Sequence, residues 1–273
     1  MCPHCRAFIT SSDKVCPYCD EKVGPRMIDR RNPGEILGGL IPHARFTTVM
    51  ILLVNFGLYA ATALFSLQSG DGGGFMGVDG MTLFRFGGKY RDAILGVGQW
   101  WRLVTAGFLH GGLFHILMNS WVLYDLGTEV EMIYGTNRMI VFYFVSTITG
   151  FLASVFWSPS LSIGASAALF GLIGAMIAVG VRHNTTLGSA IRGHYVRFAV
   201  YGLLFGLLPG LHIDNAAHIG GLAGGFACAY FAGLPRVETA TREKVWRIAM
   251  YLSIGITALC FWKMFQFLTS ARG

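Results

Sequence analysis

Three short clusters of polar residues interrupt an otherwise apolar sequence: His110, His115 and Asn119; Gly164, Ala165 and Ser166; and Asn215, Ala216, Ala217 and His218. A serine hydroxyl is a weak nucleophile until a base within hydrogen-bond reach takes its proton, and histidine is the usual base. Ser166 and His218 supply that pair if their elements touch. His115 and Asn119 are four residues apart, so on a helix both project from one face. Two neutral donors at that spacing, with the backbone N–H of Ser166, suit an oxyanion developing on an attacked carbonyl. Asp125 lies at the far end of its apolar run and Asp214, four residues before His218, is the nearest acid. A Ser-His dyad without a buried third acid is therefore the economical reading. Each residue alone has a plainer one: a serine in a membrane helix ordinarily bonds back to its own backbone, and an isolated histidine serves as readily as a proton relay or metal ligand. The combination carries the argument.

The elements that must hold these groups are membrane helices. The chain has 273 residues, 53% hydrophobic and 13% charged, against roughly 25% charged in soluble domains. Its mean hydropathy of +0.55 also excludes a disordered chain. Seven runs approach the ~20 apolar residues that span a bilayer as a helix: 46–67, 103–126, 139–157, 161–181, 194–211, 216–234 and 248–268. The fifth is the weakest, because Arg197 breaks it and Pro209 closes it early. Polar groups at membrane depth are costly, so each cluster asks for a partner or a function.

Lys and Arg concentrate before the first run (seven), at Arg138, at Arg182, Arg192 and Arg197, and in the segment 236–247, whereas the loop between the first two runs holds four. The positive-inside rule then places the N-terminus in the cytoplasm. All three polar clusters fall near the extracytoplasmic end of their spans, where they can converge. The same bias accounts for the net charge of +7, so no nucleic-acid partner is expected; the basic segments face anionic membrane lipid. No cleavable signal sequence is expected either, because the N-terminus is polar and the first apolar run is long enough to span. The loop 68–100 mixes Phe84, Arg85, Phe86, Lys89, Tyr90 and Arg91, a composition suited to the membrane interface.

The sixth run carries Gly220, Gly221, Gly224 and Gly225, and the fourth answers with Ala167, Gly171, Gly174, Ala175 and Ala178. Such small residues let membrane helices approach backbone to backbone. On an ideal helix the small stripe of the fourth run lies roughly 100° from Ser166, which counts against the pairing unless Ser166 sits at the helix entry, where helical phase is not kept. Other hydrolase signatures are missing: 164–168 reads G-x-S-x-A, not G-x-S-x-G, and there is no H-E-x-x-H.

At the N-terminus Cys2, Cys5, Cys16 and Cys19 form C-x2-C-x10-C-x2-C, which presents four thiolates to one tetrahedral Zn²⁺. Two disulfides are the rival reading, but they need an oxidising compartment. Four protein thiolates leave no open coordination position, so the metal is structural, and a cytoplasmic partner for this head is expected.

These motifs, taken in order, resemble the rhomboid intramembrane serine proteases. The resemblance runs from about 86 to 234 and rests on Trp101-Arg102, F-L-H-G-G-L-F-H-I-L-M-N (108–119), Leu126-Gly127 with Glu131, G-A-S-A-A-L-F-G (164–171) and A-H-I-G-G-L-A-G-G (217–225). It implies an all-α polytopic membrane protein: a six-helix bundle with one extra C-terminal transmembrane helix. The divisions are a zinc-ribbon-like head with the four cysteines (1–24), a basic linker (25–45), the catalytic core (46–234), and a cytoplasmic loop with the seventh helix (235–273). By resemblance Ser166 is the nucleophile, His218 the base, His115 and Asn119 the oxyanion donors, and Trp101 and Arg102 anchors of the interfacial loop. Phe170 falls where the family sets an aromatic ring against the histidine. Ala167 replaces a glycine that often follows the serine, and Phe170 lacks a tyrosine hydroxyl.

The resemblance also implies transmembrane-helix protein substrates, cleaved near the extracytoplasmic face of what is expected to be a bacterial cell membrane. A helical substrate satisfies its own amides, so its scissile segment must unwind. Entry is expected laterally past the fifth run, whose Gly202, Gly206 and Gly210 suggest a loosely packed gate, with water reaching the site past 212–215. Two other functions fit parts of the sequence. One is a catalytically inactive relative that binds transmembrane helices; the other is an ion carrier using His110, His115 and His218.

Overall fold

The computed structural model describes residues 5, 7, 15–21, 45–69, 74–183, 185–233 and 239–270. The chain divides into two units, Met1–His43 and Ala44–Gly273. In the first, Cys5 and Cys16 bring their Sγ atoms to 3.6 Å, and Cys5, Cys16 and Cys19 together lie within 4.8 Å of one another. Cys2 falls outside the described residues.

The regular structure among the second unit's described residues is helical, apart from one isolated antiparallel bridge between Lys89 and Ser162; loops and turns join the helices. Its helices are α1 (Phe46–Ser69), α2 (Gly80–Arg85), α3 (Arg91–Leu95), α4 (Arg102–Thr105), α5 (Leu113–Trp157), α6 (Ser166–Arg182), α7 (Thr186–Phe205), α8 (Asn215–Ala232) and α9 (Ala240–Ser270). By length and composition α1, α5 and α9 can cross a membrane, and α6 is a shorter apolar helix. This is a polytopic integral membrane protein. α5 has 45 residues, about 68 Å of helix, which is twice the hydrocarbon thickness. It is therefore two crossings, and the break is Gly135, at φ 77° and ψ 163°, a conformation that suits glycine. Residues 113–134 and 136–157 correspond to the second and third apolar runs.

Several span boundaries differ from the sequence expectation, and three of the differing helix starts bear on the site. The second helix begins at Leu113, not Leu103, because residues 102–108 close a separate helical turn and Gly111-Gly112 re-aim the chain. The fourth begins at Ser166, since 158–165 leave the helix to pair with the interfacial loop. The fifth begins at Thr186, capped by the Thr185 side chain, and so carries Arg192 and Arg197 within it.

α6 is the central helix, with almost every residue from Ala167 to Gly180 buried. Added Cβ atoms show how closely α8 approaches it. One at Gly221 would stand 2.0 Å from Ala167 O, one at Gly225 2.1 Å from Gly171 O, and one at Gly174 2.3 Å from Leu222 O. These backbones touch, as the paired small residues predict. α9 is held at both ends. Arg138 on α5 ion-pairs with Glu243 at 2.6 Å, and Phe267 packs against Phe84 and Trp101 in the interfacial loop. Buried Glu131 receives Thr47 N–H, Thr48 N–H and the Thr48 hydroxyl, so a carboxylate sits on the positive end of α1.

Candidate active site

The site begins where α6 begins. With 17 residues, α6 rises about 26 Å, less than the ~30 Å of hydrocarbon. Its first residue is Ser166. Gly164 makes the entry turn at φ 124°, a left-handed value that disfavours any side chain, and donates its N–H to Ala106 O at 2.9 Å. A Cβ on Gly164 would stand 2.8 Å from His115 Nε2, so glycine is also what admits that ring.

His218 sits in the first turn of α8. Asp214 caps this helix through Ala217 N–H, and its other carboxylate oxygen accepts the Ser154 hydroxyl from α5. The contact of α6 with α8 then brings Ser166 Oγ and His218 Nε2 to 2.9 Å. Phe170, one turn after Ser166, stacks on the imidazole with ring centroids 4.1 Å apart and planes inclined by 12°. Phe170 is in turn backed by Gly202 on α7, where a Cβ would meet its Cζ at 2.7 Å. His218 Nδ1 has no hydrogen-bond partner among the described residues, consistent with a dyad.

His115 Nδ1 accepts the Gly111 N–H at 3.3 Å. In a neutral ring that leaves the proton on Nε2, the nitrogen turned toward Gly164. The Asn119 amide donates to His115 O at 3.1 Å. All four residues singled out in the sequence, Ser166, His218, His115 and Asn119, line one cavity of about 760 Å³. His110 does not line it; its ring packs edge-on against His115, with centroids 5.1 Å apart, and is fully buried.

Ala167 points away from the cavity: its methyl faces Gly150 on α5, and it is 1% exposed. The methyl therefore leaves the space in front of Ser166 clear. The cavity is lined by Phe114 and Met118 on α5 and by Phe198, Tyr201 and Phe205 on α7. Of the three glycines singled out in the fifth run, Gly202 abuts Phe170 and a Cβ at Gly206, just past α7, would stand 2.3 Å from Asn215 Oδ1, whereas one at Gly210 would meet nothing within 4 Å. The exposed apolar face of α7 arises because the helix packs mainly on α6.

The Rhomboid domain description matches residues 97–235, about half of the chain. The chain belongs to the rhomboid family. It is similar to "Rhomboid protease GluP" of Bacillus subtilis, 39% identical over 57% of this chain and 30% of that protein. It is also similar to "Rhomboid-like protease 2" of Toxoplasma gondii, at 30% identity over 75% of this chain and 70% of that one. A third relative, "Inactive RHOMBOID-like protein 8" of Arabidopsis thaliana, is 36% identical over 58% of this chain and 45% of its own length. This rhomboid thus spans under a third of the Bacillus relative. Sequence reasoning found the four cavity residues. It missed the Ser154 contact of Asp214 and the burial of Lys89, neither of which leaves a periodic signal.

Proposed function

We propose that this rhomboid is a serine-type intramembrane endopeptidase that cleaves transmembrane or juxtamembrane segments of other membrane proteins. The observation that carries the reading is the 2.9 Å contact from Ser166 Oγ to His218 Nε2 beside a cavity lined by apolar residues of α5 and α7. His218 takes the Ser166 proton as Oγ adds to the scissile carbonyl, then returns it to the leaving amine. The His115 Nε2 proton, the Asn119 amide and the Ser166 N–H at the start of α6 stabilise the oxyanion. Phe170 holds the imidazole flat by stacking. Water entering past His212 and Asp214, which line the same cavity, hydrolyses the acyl-enzyme.

The charge distribution supports a cytoplasmic N-terminus and a site opening to the extracytoplasmic side of the membrane. An inactive helix-binding relative is the alternative, since one similar protein is named inactive. A fluorophosphonate reagent and a single-span reporter in proteoliposomes separate the two. The wild type is expected to cleave and to be labelled at Ser166, and Ser166→Ala and His218→Ala to do neither while still inserting. An unlabelled, inert wild type would establish the binder instead.

The Cys head fits a structural Zn²⁺. Ligands 2.3 Å from a tetrahedral ion lie ~3.8 Å apart, and Cys5 and Cys16 Sγ stand at 3.6 Å. Cys2, Cys5, Cys16 and Cys19 would hold the ion, which supplies folding free energy and no chemistry at the serine. Metal analysis of the purified chain is expected to give one zinc per chain. Cys16→Ser is expected to lose the metal while a transmembrane reporter is cleaved as before; full zinc retention would reject the site.

A further inference from the structure

We infer that Lys89 is a positioning residue for the Ser166–His218 pair, acting through the connection 158–165 that delivers Ser166; this rests on the protease reading. That connection is bonded to the interfacial loop. Lys89 N–H donates to Ser162 O at 2.9 Å, and Ser162 N–H returns the bond to Lys89 O at 3.0 Å. The Lys89 ammonium donates to Ser158 O at 2.6 Å and to Ser160 O at 3.0 Å. A single residue therefore grips three alternate positions of the segment, and the next alternate residue, Gly164, is held by Ala106 O. Gly88 allows the approach, because a Cβ there would meet Leu161 Cδ1 at 2.8 Å and Ile163 Cγ2 at 3.1 Å.

Lys89 is 0% exposed, an unusual position for a lysine, since a buried ammonium is costly unless its donors are satisfied. Here they meet carbonyls just past the C-terminal end of α5. Neighbouring Arg91 takes the Val155 and Phe156 carbonyls of the same helix end. Two cations thus satisfy orphan acceptors at the negative pole of α5. Burial pushes the Lys89 pKa down to about 8, with Asp214 pulling it up and Arg91 pushing it down further. Asp214 is the residue that caps α8 four positions before His218. Lys89 is thus tied by four hydrogen bonds to the segment that leads to the nucleophile. Nothing brings it to the cavity lining, so it acts through these elements and not on substrate.

The test compares wild type, Lys89→Met, Lys89→Arg and Ser166→Ala as full chains in proteoliposomes, with a single-span reporter, a fluorophosphonate and amide hydrogen exchange. Lys89→Met is expected to lower kcat at least tenfold with KM within twofold, and to slow Ser166 labelling by the same factor. Exchange at Ser162 and Gly164 is expected to accelerate at least tenfold, with α1 unchanged. Lys89→Arg, which still donates to carbonyls, is expected to recover most of the loss. Cleavage, labelling and exchange all within threefold of wild type in Lys89→Met overturn the proposal, as does an Arg variant as impaired as Met. Should Lys89→Met fail to fold, Lys89→Gln is read by the same exchange ratio and decides in the same way. A wild type that neither cleaves nor labels refutes the protease reading, while the exchange data still test the clasp.

Discussion

Replacing Gly221 by alanine tests whether backbone contact between α6 and α8 sets the catalytic geometry. The new Cβ would stand 2.0 Å from Ala167 O and 2.9 Å from Ala167 C, where ordinary contact begins at 3.4 Å. Relief at the oxygen requires the two helices to separate or slide by up to about 1.4 Å, and both partners are backbone atoms of packed helices that cannot rotate aside. Gly221 lies one turn beyond His218, and Ala167 adjoins Ser166, so the displacement falls on the reacting pair. A Ser166–His218 contact of 2.9 Å lengthened by even about 1 Å leaves hydrogen-bond range. Misplacement of that size costs ~10²-fold in rate, or about 2.7 kcal/mol of activation free energy. Reporter cleavage in proteoliposomes, below the thermal unfolding range of the variant, measures the effect. We expect kcat to fall about 100-fold. Ala167→Gly should not rescue it, because the obstructing atoms belong to the main chain. Gly255→Ala on α9, where a Cβ meets nothing within 4 Å, is the control and should match wild type. A Gly221→Ala enzyme within threefold of wild type would refute the reasoning.

Glu131→Ala should lower stability by about 1–3 kcal/mol for the buried N–H groups it strands at the start of α1, with Glu131→Gln losing less. Unfolding in detergent micelles measures this, and an unshifted midpoint would show that α1 needs no cap. Asn119→Ala should cost on the order of 2–4 kcal/mol of transition-state stabilisation, seen in kcat with KM little changed; a kcat within twofold would remove Asn119 from the oxyanion site.

Much of the candidate site was legible in the sequence because each contributing signal is local. His115 and Asn119 share a face through helical period alone, and a polar residue in an apolar run announces itself by its cost in lipid. The small residues of the fourth and sixth runs indicated that two helices meet backbone to backbone, which the Gly221 and Gly225 contacts with α6 bear out. The helical phase of Ser166 was the difficulty. Ser166 is the first residue of α6, where the chain direction comes from Gly164 and the preceding loop and not from the period. Span ends were misjudged for a related reason: residues 102–108 are helical but form a separate short turn that does not run on into α5, and 161–165, apolar enough to read as helix, bond instead to Lys89 and Ala106.

Composition and pattern by themselves determined that this chain is a bundle of membrane helices, which side chains are out of place in lipid, and which helices can approach closely. Only the tertiary structure decided that Ser166 and His218 meet, that Ala167 turns its methyl to Gly150, that Gly202 lies against Phe170 and Gly206 against Asn215, and that Lys89 is interior. The physical reason is range. Hydropathy and helical period act over a few residues, whereas the position of a loop such as 158–165 is fixed by bonds to partners some 70 residues away, and no local signal records them.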